Sequence, residues 1–69
     1  MKNGQTVELQ ARARAFSGQG PRLHKFHYDG FRLRVYDPIA GHYTTCHALT
    51  PAAYRRLVKL AITKGKEIQ

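Results

Sequence analysis

The side chains best equipped for chemistry in this chain are four arginines set two apart, Arg12 and Arg14 in one segment and Arg32 and Arg34 in another. A guanidinium presents planar donors that match the oxygens of a phosphate or carboxylate, so arginines gathered on one surface point to an anionic partner. The residues between them are apolar: Leu9, Ala11, Ala13 and Ala15 in the first segment, Phe31, Leu33 and Val35 in the second. Successive side chains on a strand face opposite ways, so both segments read as strands with an apolar side and an arginine side. Tyr36 falls on the arginine side by the same count. Arg12, Arg14, Arg32, Arg34 and Tyr36 are therefore the candidate contact residues, in an arrangement that suits phosphate contacts and major-groove reading by a sheet.

Other chemistry is thinly represented. Four histidines (His24, His27, His42, His47) and one cysteine (Cys46) raise the question of a metal site. On strands, however, His24 and His27 face opposite sides, as do Cys46 and His47, and there is no Cys-x-x-Cys pair, so neither a metal nor a cofactor is expected. Cys46 reads instead as a small buried residue. The whole acidic set is Glu8, Asp29, Asp37 and Glu67, with no pair suited to general acid and base work. The expectation is a protein that is not an enzyme, with a small metal-independent ribonuclease as the remaining catalytic alternative, because that chemistry needs only His, Lys, Arg or Tyr.

The chain of 69 residues carries 12 Lys and Arg against 4 Asp and Glu, a formal charge of +8. Such a balance favours nucleic acid, an anionic surface or an acidic protein as partner. Hydrophobic residues make up 42%, enough for one globular domain with a small core. A single cysteine permits no internal disulfide, and no apolar run has the length of a signal peptide or a membrane span. A cytoplasmic protein without membrane association is expected.

The elements that must position the arginines follow from turn and cap signals. A helix over the first segment would set Val7, Ala11 and Ala15 opposite Leu9, Ala13 and Phe16 and leave no apolar face, so period outweighs the helix propensity of its residues. Ser17-Gly18-Gln19-Gly20-Pro21 ends that strand. Leu23 to Tyr28 reads either as a short strand or as irregular, Asp29-Gly30 as a tight hairpin turn, and Phe31 to Tyr36 as the clearest strand. Asp37-Pro38-Ile39-Ala40-Gly41 is a second turn and His42 to Ala48 a Tyr- and Thr-rich strand. Thr50-Pro51 opens a helix whose apolar arc includes Ala53, Tyr54, Leu57, Val58, Leu60, Ala61 and Ile62, with Gly65 as a left-handed stop. The expected fold is α+β: three or four antiparallel strands with one C-terminal helix packed on one face. The domain spans residues 5–64, with disordered tails at 1–4 and 65–69, and Phe31, Leu33, Val35, Leu9 and Ala13 meet Leu57, Ala61, Tyr54 and Val58 in the core.

The run Gly30-Phe31-Arg32-Leu33-Arg34-Val35-Tyr36-Asp37-Pro38, then Gly41, a further strand and Thr50-Pro51-Ala52-Ala53-Tyr54-Arg55-Arg56-Leu57, resembles the amino-terminal arm-binding domain of tyrosine integrases, which is related in fold to the AP2 domain. The resemblance covers residues 30–62. It implies a three-stranded sheet that enters the DNA major groove with a helix behind it, and a free-standing DNA-binding accessory protein of a phage or plasmid, with DNA favoured over RNA. Where that family tends to place Lys and Arg after the turn, this chain has His42-Tyr43-Thr44-Thr45-Cys46-His47.

Two plainer readings stand beside this one. An arginine-lined strand face is also how a two-layer domain keeps its solvated side soluble, and the Arg55, Arg56 and Lys59 side of the helix reads as solvated. In addition, the apolar arc of the helix is wider than a small sheet needs to cover. Its margin at Tyr54, Val58 and Ile62 carries the alternative to nucleic-acid binding: a small phage- or plasmid-type protein that docks on a host protein through its helix face, or a homodimer.

Overall fold

A computed structural model of the chain describes residues 5–68. Met1–Gly4 and Gln69, expected above to be disordered, lie outside the described residues. The chain forms an antiparallel meander of β1 (Val7–Ala13), β2 (Arg22–Tyr28), β3 (Leu33–Asp37) and β4 (His42–Thr45), followed by helix α1 (Pro51–Lys64) and a two-residue strand β5 (Lys66–Glu67). The sheet order is β4-β3-β2-β1-β5, and the fold is α+β. No helix among the described residues is long and apolar enough to cross a membrane.

Alternation decides the layers. Val7, Ala13, Phe26, Leu33 and Val35 point to one side and are buried, with Ala15 just beyond β1 and Cys46 just beyond β4. Helix α1 covers that side, lying across β1 and to a lesser extent β2, and contributes buried Leu57 and Ala61. Tyr54, Val58 and Leu60 pack partly against this core. The helix begins as its sequence requires: Thr50 Oγ1 accepts the Ala53 N–H at 3.1 Å and Pro51 occupies the first turn, where a missing N–H costs nothing. The Cys46 thiol, buried as expected, donates to the Leu33 carbonyl oxygen at 3.7 Å, and burial pushes its pKa up to about 11.

Segment 22–28, readable from the sequence either as a strand or as irregular, is a full strand, pairing along its length with β1 and in part with β3. Four expectations are corrected. Phe31 does not join the core; it is 88% exposed. The cause is the β2–β3 connection, which is longer than a two-residue hairpin. Asp29 Oδ1 accepts the N–H groups of both Phe31 and Arg32 at 2.8 Å, with Gly30 at φ +88°, and this holds residues 29–32 out of the sheet. Arg32 is therefore a turn residue and no part of β3. At the other end of the meander, β4 stops at Thr45, short of Ala48.

The fourth correction concerns the C-terminus. Gly65 is extended (φ −65°, ψ 147°) and is no left-handed stop. Glycine is needed there for proximity: a Cβ would collide with the Ala61 carbonyl oxygen and come within 2.8 Å of Val7 Cγ2. The chain turns at this contact into β5, which pairs with Val7 and Glu8, and Ile68 N–H donates to the Thr6 carbonyl oxygen at 3.0 Å. Lys66–Glu67 are thus an edge strand, and residues 65–68 are no tail.

His24 sits on the helix side of β2 between the rings of Phe16 and Phe26, edge-on to both at 5.4 and 6.1 Å. Its Nε2 is buried without a hydrogen-bond partner, and desolvation, aided by the charge of Arg22, lowers its pKa below the usual 6.5. The fold therefore favours the neutral ring. As pH falls through 6.5, the unfolded chain takes up a proton that the folded one resists, so stability falls. Chemical denaturation between about pH 7.5 and 5 is expected to show this loss, and His24→Phe to reduce it while raising stability by about 1 kcal/mol through removal of the orphaned nitrogen. An unchanged pH slope in the variant would assign the dependence elsewhere.

Candidate functional site

The side of the sheet opposite α1 carries no covering element, and its side chains follow from the register. Lys66 pairs with Glu8, Glu8 with His27, His27 with Arg34, and Arg34 with Thr45, so one row of polar side chains crosses all five strands. Gln10 faces Lys25 and Tyr36 faces Tyr43 in the next positions along, and Arg12 faces Leu23 beyond them. Backbone pairing alone therefore places a carboxylate, an imidazole and a guanidinium side by side on β1, β2 and β3.

Side-chain contacts tie this row together. His27 Nε2 lies 3.1 Å from Glu8 Oε1. Tyr43 leans from β4 across β3, stacks on the His27 ring with centroids 3.6 Å apart, and donates its hydroxyl to the same Glu8 oxygen at 3.4 Å. Tyr36 meets the Tyr43 ring edge-on at 5.2 Å. The hydrogen bond from His27 holds the Glu8 carboxyl below its ordinary pKa, with the charge of Lys25 helping. Burial first, and the neighbouring Glu8 charge second, push the Tyr43 hydroxyl upward, so it stays a protonated donor. The one acidic group in the middle of this face is thus already occupied by partners.

Beside the middle of this row, towards the β2–β3 turn, lies a shallow hollow of about 300 Å³ lined by Thr6, His27, Asp29, Arg32, Arg34, Tyr43 and Ile68. Arg34 enters it from β3 and Arg32 from the turn. The turn is fixed because Asp29 accepts both N–H bonds, and these bonds, that from Arg32 foremost, hold its carboxyl below the ordinary range. Two guanidinium groups, an imidazole and a phenol thus line one hollow together with the Asp29 carboxylate, whose charge is already met by two backbone N–H groups.

The expected site residues are thereby divided. Arg32 and Arg34 converge, although only Arg34 is a strand residue. Tyr36 stands on the same open face, packed against Tyr43. Arg12 and Arg14 do not reach this hollow; both are exposed, Arg14 beyond the end of β1, and they line a separate one with Arg56, Pro21 and Thr50 near the start of α1. Glu8, His27 and Tyr43 were not among the expected contact residues. Their signal was present in the alternation of β2: with Phe26 and Tyr28 on the helix side, His27 and Lys25 must face the other way.

Among the described residues no group of three or more His, Cys, Asp or Glu side chains is placed to hold a metal ion. The chain matches no protein-family model, no curated protein and no solved structure.

Proposed function

We propose that this protein binds nucleic acid through the open face of its sheet, with a backbone phosphate seated in the hollow of Arg32, Arg34, His27 and Tyr43. The observation that carries this reading is the convergence of Arg32 and Arg34, one from a turn and one from a strand, on a hollow whose other polar lining includes the His27 ring and the Tyr43 hydroxyl. The net charge of +8 supplies the long-range attraction. Exposed Lys25 and Arg12 extend the positive surface along the sheet, and Tyr36 and Tyr43 add faces and edges for base or sugar contacts. DNA is the favoured ligand, on the resemblance of residues 30–62 to integrase arm-binding domains, and the function is then that of a DNA-binding accessory protein.

On this reading the site holds a phosphodiester without cutting it. Cleavage through the 2′-hydroxyl of RNA needs a base and an acid on opposite sides of the phosphorus. The one imidazole of the hollow is stacked on Tyr43 with its Nε2 engaged by Glu8, and we read these contacts as holding the face together rather than as a proton relay. RNA incubated with the protein and EDTA is therefore expected to stay intact.

The test is an NMR titration with short duplex DNA, duplex RNA and single-stranded oligonucleotides at two salt concentrations. Shifts centred on Arg34, Arg32, His27, Tyr43 and Tyr36 that weaken steeply with salt are expected. A spectrum unperturbed by all three ligands would overturn the reading, and His27-dependent appearance of 2′,3′-cyclic ends would overturn the non-enzymatic part of it.

A further inference from the structure

We infer that the protein has a second docking site, on the helix side, for an acidic amphipathic helix of a protein partner. Between α1 and the β2–β3 turn runs an apolar groove of about 510 Å³, formed chiefly by Phe31, Tyr54, Val58 and Ile62, with Arg55 and Lys59 on its helix rim. Of the five large apolar side chains exposed among the described residues, Phe31 and Ile62 are the two that line this one groove, where Tyr54 and Val58 join them. Neither is left there by a loose segment. Asp29 accepts the Phe31 N–H, and the Tyr54 hydroxyl accepts the Leu33 N–H at 3.0 Å, so both walls are tied to the sheet. A preformed groove of this kind spends little of its binding free energy on ordering.

The shape and charge of the groove select its occupant. Tyr54, Val58 and Ile62 follow one another at intervals of four along α1, a stripe about 12 Å long at 1.5 Å per residue. That length accommodates two turns of a partner helix laid into the groove through its own i, i+4 apolar residues. Arg55 and Lys59 run beside the stripe at the same spacing, so acidic side chains along one flank of the partner would meet them. A second copy of this chain is the wrong occupant. A symmetric pairing would bring two such basic rims, each on a body of charge +8, against each other. The site is separate from the proposed nucleic-acid contact, because Arg34 and His27 face the other side of the sheet, and the two meet only at the turn that carries Phe31 and Arg32.

The probe is a synthetic amphipathic helix of about four turns with Leu along one face and Glu along its flank, compared with the same peptide carrying Lys in place of Glu. Binding is read by fluorescence anisotropy and the site by NMR shifts. The acidic peptide is expected to perturb Phe31, Arg55, Val58, Lys59 and Ile62 and to bind about tenfold or more tightly than the Lys peptide. Phe31→Ser and Ile62→Ser should each weaken it by about tenfold while the protein still melts cooperatively within a few degrees of the parent, since Phe31 is exposed and Ile62 half exposed. The double change Arg55→Glu, Lys59→Glu should reverse the preference between the peptides. Equal binding of the two peptides, no binding of either, shifts confined to Arg34 and His27, or a dimer held through Phe31 and Ile62 in sedimentation would each overturn the inference.

Discussion

Replacing Leu57 with alanine is expected to leave much of the protein unfolded at room temperature. Leu57 is fully buried on the face of α1 that meets the sheet, in one cluster with Phe26, Leu33 and Val35. Removing three buried carbons and leaving a cavity costs about 2–5 kcal/mol. A domain of this size, with one helix over one sheet, has about 3–10 kcal/mol to lose. Far-ultraviolet circular dichroism during thermal and urea denaturation reads the result: loss or severe lowering of the cooperative transition. Ile62→Ala on the same helix should move stability by about 0.5 kcal/mol or less, because its side chain is half exposed. Equal melting of the two variants would mean that α1 is not the cover of this core.

Which parts of this architecture were legible in the sequence depends on the range of the interactions that fix them. The β1 strand was readable against the helix propensity of Glu8-Leu9-Gln10-Ala11-Arg12-Ala13 because alternation is a local pattern, and the start of α1 was readable because a cap is local too. Phe31 shows where local reading ends. The alternation Phe31-Leu33-Val35 is intact in the sequence, yet Asp29 captures two backbone N–H groups and removes residue 31 from the strand before its side chain can follow the pattern. Gly65 shows the same limit from the opposite direction. Its residue type suggested a left-handed stop, whereas its function is to let the chain pass close to Val7, a residue 58 positions earlier.

The candidate site divides along the same line. Arg34 and Tyr36 were legible from the period of β3, because a single strand suffices to place them. Glu8 and His27 were not, because their meeting requires the register between β1 and β2, and β2 has a mixed pattern: His24 on its buried side and exposed Leu23 on the other. The stack of Tyr43 on His27 is still less local, since Tyr43 reaches over an intervening strand. The Asp29 turn joins the two surfaces. Adjacent residues leave it in different directions, Arg32 to the hollow on the open face and Phe31 to the groove beside α1.

That arrangement makes the arginines testable without risk to the fold. Changing Arg32 and Arg34 together to alanine should abolish measurable binding of short duplex DNA at moderate salt while leaving the melting transition in place, because both side chains are exposed. Loss of the one phosphate seated in the hollow should also reduce the slope of log K against log salt by about 0.9. The pair Arg12→Ala, Arg14→Ala removes the same charge from the separate hollow near the start of α1. If net charge alone drove association, the two double variants would weaken binding equally. If the hollow beside His27 is the seat of a phosphate, the Arg32 and Arg34 variant should lose at least about tenfold more than the other, the margin set by direct guanidinium contacts over diffuse attraction. Filter binding or anisotropy across a salt series decides between them, and equal losses would move the contact away from this hollow.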